Sequence, residues 1–289
     1  MKTDMKTLEV VAAKGRLLGL DMVYDCASGH LGGSFSAMDA LTVLYFDVMK
    51  GIDPKDIVVV SVMPCTAKKF EAKRPELSNN GLFDVDHVIT TRELANMIKE
   101  AGIDFNALPD EDFDSLMGAS TGAAVIFGTT GGVMEAALRT AYEVITGETL
   151  ENVNFTAVRG MEGIKEATVK VGDLDVSVAV ASSTGKAAEL LDMVKSGEKN
   201  YTFIEVMGCP GGCVNGGGQP IVSAQIRNWE DIRTKRAQAL YTEDEAKTLR
   251  KSHENPEIKQ IYDEFLGKPN SHKAHELLHT SYEKRDLYL

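Results

Sequence analysis

Two cysteines within a group of glycines form the segment with the clearest potential for chemistry. Cys209 and Cys213 enclose Pro210-Gly211-Gly212, and five glycines fall within residues 211–218. Glycine loses more backbone entropy on folding than any other residue, so this density of glycine needs a reason. A bound iron–sulfur cluster supplies one, because glycine lets the backbone approach the cluster and point N–H groups at its sulfur atoms. We therefore interpret Cys209 and Cys213 as cluster ligands.

A third cysteine follows a different predicted strand. Cys65 comes after Met63 and Pro64, directly beyond a run at 57–62 that is rich in β-branched residues. Open α/β sheets bind their ligands beyond such strand ends. Lys68 and Lys69 place positive charge near the Cys65 thiol, which favours its ionised form. Cys65 is therefore predicted to be a further ligand.

Other interpretations of these thiols stay open from the residues alone. A single cysteine is commonly a buried, small apolar residue, and a pair spaced like Cys209 and Cys213 also occurs in half of a zinc site. Zinc would need another cysteine or histidine, and four histidines fall in the polar tail: His253, His272, His275 and His279. The chain has four cysteines, too few for a disulfide scaffold at a length of 289 residues.

Alternating strands and helices must position these side chains. Strands are predicted at residues 57–62, 155–158, 176–180 and 201–206. Helices are predicted at residues 6–26, 36–49, 91–101, 132–146 and 184–194. The first strand has the composition of a strand buried on both faces of a parallel sheet, and Thr91 is the predicted cap of the third helix. The alternation predicts an α/β fold, followed from Asn228 by a charged, largely helical tail.

Composition excludes several classes of partner. The net charge of −12 disfavours nucleic acid and anionic membrane surfaces, because like charges repel. We see no run of about 20 apolar residues that would span a membrane, and no signal-peptide core. From these features we expect a cytoplasmic protein.

Four segments resemble the catalytic domain of the [FeFe]-hydrogenases. Residues 63–71 read MPCTAKKFE and residues 207–220 read MGCPGGCVNGGGQP, which are similar to the second and third cysteine signatures of that family. Residues 127–139, FGTTGGVMEAALR, and residues 249–256, LRKSHENP, also resemble the family. The resemblance covers residues 50–289, which we predict to be one catalytic domain.

The resemblance implies a [4Fe–4S] cluster joined through a cysteine to a diiron unit with CO and cyanide ligands (the H-cluster). Cys65 and Cys209 would bind the cubane, and Cys213 would bind it and bridge to the diiron unit. Lys68 would donate a hydrogen bond to a cyanide. Glu71 matches an acidic residue of the motif, with a structural ion pair as the alternative. Three apolar side chains would line the pocket: Met63, Phe127 and Met207.

The family also implies an activity and an architecture. We expect reversible oxidation of H₂ to protons and electrons in anaerobic hydrogen metabolism, with ferredoxin or another electron carrier as partner. The expected fold has parallel sheets flanked by helices, with one lobe of the catalytic domain largely complete and the other partial. Helical segments are expected at both ends of the chain.

The first 49 residues depart from the hydrogenase pattern. The family's first signature, a Thr-Ser-Cys-Cys-Pro run, is absent from the sequence, and it would supply the fourth cubane ligand and a proton-relaying cysteine. Residues 6–49 instead resemble the start of a transketolase, with a glycine loop around His30. The remaining thiamine diphosphate motif is absent, so we do not expect that cofactor.

Cys26 leaves two functional hypotheses open. It would complete a set of four cysteines, but it lies in a predicted helix, where a buried packing residue is the alternative. The chain is predicted to be a hydrogenase, with activity that the absence of the first cysteine signature would impair. The alternative is a non-catalytic iron–sulfur protein that serves cluster assembly or electron transfer.

Overall fold

The computed structural model describes residues 54–79, 81–111, 119–269 and 271–274. The strands are β1 (Val60–Met63), β2 (Ser78–Asn79), β3 (Leu82–Phe83), β4 (His87–Thr90), β5 (Ile164–Val171), β6 (Leu174–Ser182) and β7 (Phe203–Met207). The α-helices are α1 (Lys68–Glu71), α2 (Thr91–Glu100), α3 (Gly122–Ile126), α4 (Gly132–Thr146), α5 (Thr184–Lys195), α6 (Ala224–Arg227), α7 (Ile232–Ala246) and α8 (Pro256–Ile261). The predicted helices at 6–26 and 36–49 lie outside the described residues, as does Cys26.

The described residues divide into two compact units. The smaller unit contains residues 54–61, 69–88 and 260–274, and the larger contains 62–68 and 89–259. Among the described residues, no helix is long and apolar enough to cross a membrane.

A three-stranded sheet forms the centre of the larger unit. β5 and β6 form an antiparallel hairpin in which Ile164 lies opposite Ala181, and β6 runs parallel to β7 with Val178 beside Phe203. Because the β6–β7 connection is parallel, it needs a crossover, which α5 supplies.

Helices cover both faces of this sheet. Successive β6 residues point to opposite faces. On one face the core packs against α4, and its buried members are Met134, Leu138, Val158, Val169, Val171, Val178 and Val180. On the other face it packs against α5, and its members are Ala179, Ala181, Ala187 and Leu190. The predicted α/β fold is confirmed.

Glycines fix the ends of α4, the helix that the sequence predicted at 132–146. Gly131 precedes the helix at φ 90° and Gly147 ends it at φ 69°, a backbone region that favours glycine. A Cβ atom on Gly131 would lie 1.9 Å from the Val158 carbonyl oxygen, so the helix start is also packed too tightly for any side chain.

Other sequence predictions need correction. Residues 156–158 form a 3₁₀ turn, not a strand, and the strand at 164–171 was not predicted. β1 is not buried on both faces, since Val60 and Val62 are 51% and 44% exposed. Thr90, not Thr91, caps α2, through a capping box in which its hydroxyl accepts from Glu93 N–H and Glu93 accepts from Thr90 N–H.

The smaller unit is held by local contacts. Asp86 accepts a hydrogen bond from Val59 N–H at 2.7 Å. β2 and β3 pair as a short antiparallel hairpin, with Lys73 Nζ 4.9 Å from the ring centre of Phe83. The segment at 260–274 has its own small apolar contact, between Leu266 and Ala274.

Candidate metal centre

The three predicted ligands lie on two loops of the larger unit. Cys65 follows the end of β1 by two residues, and Cys209 follows the end of β7 by two residues. Cys213 begins a 3₁₀ turn that ends at Asn215. All three cysteines are half-buried. Both loops leave the carboxyl ends of strands, as the sequence predicted.

Glycines allow these two loops to touch. Gly218 N–H donates to the Pro64 carbonyl oxygen at 2.9 Å. A Cβ atom on Gly216 would lie 2.1 Å from that same oxygen, and one on Gly217 would lie 2.9 Å from Thr66 Oγ1. The glycines at 216–218 therefore let the cysteine loop pack against the residues that flank Cys65.

A third loop, at residues 128–130, is hydrogen-bonded to the cysteine loop. Thr130 N–H donates to the Gly211 carbonyl oxygen at 3.1 Å, and Val214 N–H donates to the Gly128 carbonyl oxygen at 2.9 Å. Gly212 has φ 92°, and a Cβ atom there would lie 2.7 Å from Thr130 N. The backbone on both sides of Gly212 is therefore fixed by the 128–130 segment.

The cysteines are close enough to influence one another's ionisation. Burial first, and then the neighbouring thiols of Cys65 and Cys209, raise the pKa of Cys213 to about 11, against the opposing charge of Lys68. Burial and then Cys65 raise the pKa of Cys209. The thiols of Cys209 and Cys213 therefore keep their protons at neutral pH unless a positively charged group binds. A metal centre would supply that charge, since metal ligation requires the thiolate.

The donor set fits an iron–sulfur cluster better than a single ion. Sulfur ligands on one tetrahedral zinc lie about 2.3 Å from the metal and therefore about 3.8 Å from one another. Over the described ranges, no three cysteine, histidine or acidic side chains are grouped closely enough for one ion. The ligands of a cubane bind different irons and lie farther apart. Three neighbouring thiols, two of them on a glycine-rich loop, fit that arrangement.

The tail histidines offer no support for zinc where the structure describes them. His253 Nε2 contacts Glu143 Oε2 at 2.6 Å, and His253 Nδ1 contacts Thr140 Oγ1 at 3.1 Å. His272 lies in the smaller unit. His275 and His279 lie outside the described residues.

The other predicted site residues lie at or next to the ends of strands and helices. Met63 ends β1 and is 8% exposed, and Met207 ends β7 and is 2% exposed. Phe127 follows α3 directly, one residue before the Gly128 carbonyl that binds Val214. Lys68 begins α1 in the larger unit, and its charge reaches Cys213. Glu71 ends α1, half-buried, and its role stays a prediction.

Sequence reasoning missed two buried charged side chains, Glu205 and Lys165, that bond to the backbone next to the cysteine loop. Glu205 on β7 is 5% exposed and accepts hydrogen bonds from Gly131 N–H and Met134 N–H, each at 2.7 Å. Lys165 on β5 is 8% exposed and donates to the Thr130 carbonyl oxygen at 3.0 Å. The sequence signal for these residues was the glutamate within the predicted strand at 201–206. A charged side chain buried in a strand needs hydrogen-bonding or charged partners.

A second buried network joins α4 to α7. Arg139 is fully buried and donates to Glu135 and Asp244 at 2.8 Å each. Burial works to lower the pKa of Arg139, but these two carboxylates raise it overall. Arg159 and Arg250 bind the same two carboxylates from the rim, at 2.7 Å and 2.6 Å. This network stabilises the position of α4, whose first turn supports the cysteine loop.

Two family profiles match the chain. The iron-only hydrogenase large subunit, C-terminal domain, matches residues 23–217, and the iron hydrogenase small subunit matches residues 230–285. The first match begins inside the segment that resembles transketolase, and that second resemblance remains a prediction.

Curated relatives include both hydrogenases and assembly factors. The chain is 57% identical to the NADP-reducing hydrogenase subunit HndD of Solidesulfovibrio fructosivorans, over 85% of this chain and 41% of that protein. It is 50% identical to iron hydrogenase 1 of Clostridium pasteurianum, over 83% and 42%. It is 30% identical to the cytosolic Fe-S cluster assembly factor narfl of Xenopus tropicalis, over 85% and 51%. The chain thus spans about half the length of these relatives or less.

Solved structures show the same fold. A variant of [FeFe]-hydrogenase HydA1 from Chlamydomonas reinhardtii superposes with a TM-score of 0.68 at 39% identity, covering 95% of this chain and 81% of that one. HydA(deltaEFG), whose structure reveals stepwise H-cluster assembly, gives the same values. The chain therefore belongs to the iron-only hydrogenase family, in which it matches the C-terminal domain of the large subunit.

Proposed function

We propose that this chain is a hydrogenase that binds a [4Fe–4S] cluster through Cys65, Cys209 and Cys213, with Cys213 bridging to a diiron unit. The observation that carries the proposal is the meeting of two cysteine loops, held together by the bond from Gly218 N–H to the Pro64 carbonyl oxygen. The proposed reaction is H₂ ⇌ 2H⁺ + 2e⁻. When bound, the diiron unit would supply the open iron position for H₂, and the cubane would accept electrons.

The chain's own residues would bind and shield these groups. The ammonium of Lys68 would donate to a cyanide ligand, a charge-assisted hydrogen bond. Met63, Met207 and Phe127 would keep water away from the diiron unit, which strengthens every polar contact inside the pocket. Glu71 is the proposed acidic group of the second signature. The proposed partners are H₂, protons and a ferredoxin-type electron carrier.

A non-catalytic iron–sulfur protein is the second candidate. It is favoured by the absence of a Thr-Ser-Cys-Cys-Pro run from the sequence and by the 30% identity to an assembly factor. The identities of 57% and 50% to proteins named as hydrogenases favour the first candidate. Retention of Lys68 also favours it, because a hydrogenase site would offer its ammonium a cyanide ligand to bind.

Infrared spectroscopy separates the two candidates. The full chain is produced anaerobically with the hydrogenase maturation proteins and examined for bands of metal-bound CO and cyanide, alongside an H₂ evolution assay. The hydrogenase proposal expects both the bands and evolution of H₂. A chain that carries about four irons without those bands is the assembly-type protein, and a chain that carries diiron but evolves no H₂ contradicts the proposed activity.

A further inference from the structure

Glu205 is a buried acidic residue that the proposed chemistry does not use. Burial raises the pKa of Glu205, and backbone hydrogen bonds and the charge of Lys165 act against that increase. It lies on β7, four residues before Cys209, and its two carboxylate oxygens each accept one backbone hydrogen bond, from Gly131 N–H and Met134 N–H. These N–H groups belong to the start of α4, where the helix dipole favours a negative charge. The carboxylate is thereby fixed in place by two charge-assisted hydrogen bonds.

Lys165 carries the opposite charge and bonds to the segment just before α4. Its Nζ donates to the carbonyl oxygens of Thr130 and Gly160 at 3.0 Å and 2.9 Å. Burial lowers the pKa of Lys165 to about 8, and the charge of Glu205 opposes that decrease. Lys165 is therefore mostly protonated at pH 7, and Lys165 and Glu205 each bond to the segment at 130–131.

The segment to which Glu205 and Lys165 both bond is itself bonded directly to the cysteine loop. Thr130 donates its N–H to Gly211, and Gly128 accepts from Val214, the residue after Cys213. Glu205 is also among the charges that raise the pKa of Cys213. Charges in such a buried setting are screened much less than charges in water. Both side chains therefore hold the segment that bonds to the cysteine loop, and the charge of Glu205 also acts on the Cys213 thiol.

We infer that Glu205 and Lys165 are positioning residues that set the reduction potential of the proposed cluster in opposite directions. The inference rests on the proposed cluster binding. Reducing a [4Fe–4S]²⁺ cluster to [4Fe–4S]⁺ adds one electron and therefore one negative charge. The carboxylate of Glu205 opposes that change and lowers the potential, whereas the ammonium of Lys165 favours it and raises the potential.

The test measures potential, not H₂ chemistry. The full-length chain is reconstituted anaerobically with iron and sulfide alone, and the cluster is titrated with dithionite while EPR records the reduced form. E205Q, which keeps the shape of the side chain, is expected to raise the midpoint potential. K165Q is expected to lower it, and K165R, which keeps the charge, is expected to leave it unchanged. Iron per chain should equal that of the parent chain.

A surface pair on the same sheet supplies matched controls. Lys170 on β5 and Asp175 on β6 form a 2.8 Å ion pair, 70% and 61% exposed. K170Q and D175N remove the same charges where water screens them, so their potentials should match the parent.

Several results would overturn the inference. A purely structural role would lower iron content in both buried variants or shift both potentials in one direction. Unmoved potentials in E205Q and K165Q at full iron content contradict it equally, while leaving the proposed function intact. A parent chain that takes up no iron would overturn the proposed function and this inference together.

Discussion

At the scale of single residues, the thiols of the candidate centre are unusual in being clustered without a compensating charge large enough to ionise them. Burial and mutual proximity raise the pKa of Cys213 to about 11 even though Lys68 acts against that increase. A folded apoprotein therefore carries protonated thiols next to one another. Cluster uptake would release those protons, so uptake should be faster at higher pH.

Substituting a ligand should remove the cluster. C213S places a harder, poorly ionised oxygen donor where the cluster requires a thiolate, so we expect it to lose most of its bound iron. Iron counting and the visible absorption of anaerobically reconstituted protein measure this. C26S is the comparison, expected to keep its iron if Cys26 is a packing residue of its predicted helix. Full iron content in C213S would remove Cys213 from the ligand set.

Arg139 should be among the most costly residues to replace. R139M leaves the buried carboxylates of Glu135 and Asp244 without their shared partner, and breaking a buried charge pair this way costs about 3–5 kcal/mol. Urea unfolding of the variant and the parent measures the loss in the free energy of unfolding. K170M is the surface control, and we expect it to change that free energy by about 1 kcal/mol or less. Equal losses in the two variants would contradict the structural role of the network.

At the scale of elements, sequence periodicity predicted the long, locally determined pieces well. The helix at 132–146 has the predicted bounds, since glycines that adopt positive φ stop it at both ends. The strand at 164–171 was missed because its charged residues Lys165, Glu166 and Lys170 interrupt the apolar pattern. The buried ammonium of Lys165 donates to the carbonyl oxygen of Thr130, 35 residues earlier in the chain. A contact over that sequence separation cannot be read from local composition.

The cysteine motifs could be predicted from the sequence, but the contacts that hold their two loops together could not. The glycines at 216–218 were assigned to contact with a cluster, and the structure shows that they also allow close backbone contact with the loop of Cys65. That contact depends on β1 and β7 ending near each other, which is a property of the tertiary fold. Local sequence therefore predicts the donors, while the contact between their loops had to come from the structure.

Adding a side-chain atom where the two cysteine loops touch should disrupt the proposed centre. A Cβ atom in G216A would lie 2.1 Å from the Pro64 carbonyl oxygen, so the cysteine loop would have to move away from the loop of Cys65. We expect G216A to lower iron uptake several-fold with little loss of helix content by circular dichroism. G185A is the control, because a Cβ atom there meets nothing within 4 Å. Normal uptake by G216A would show that the contact is dispensable.

At the scale of the whole molecule, the chain joins regions that match two separate family profiles, residues 23–217 and residues 230–285. Buried polar contacts, not only apolar packing, hold the second region to the first. Asp244 of α7 binds Arg139 of α4, and Lys251 binds Glu143 of α4 at 2.6 Å. Stability of the larger unit should therefore depend on pH through these carboxylates.

Glu143 provides the clearest case. Burial alone would raise its pKa, but hydrogen bonds from Lys251, Leu150 N–H and His253 lower that pKa to about 2. Because the pKa is depressed on folding, Glu143 stabilises the folded state above its unfolded pKa of about 4.3, and this contribution is lost as pH falls from there toward 2. E143Q should therefore lower the free energy of unfolding at pH 7 by about 1–2 kcal/mol, and the difference from the parent should shrink toward pH 2.5.

Urea unfolding of the iron-free chain across this pH range measures the effect without interference from acid release of a cluster. E148Q removes an exposed carboxylate only five residues away and should match the parent at every pH. Lys251 also binds Glu254 at 2.8 Å, so a smaller effect of E143Q would remain if that contact strengthens in the variant. A difference between E143Q and the parent that stays constant from pH 7 to pH 2.5 would show that packing, not the charge of Glu143, joins the second region to α4.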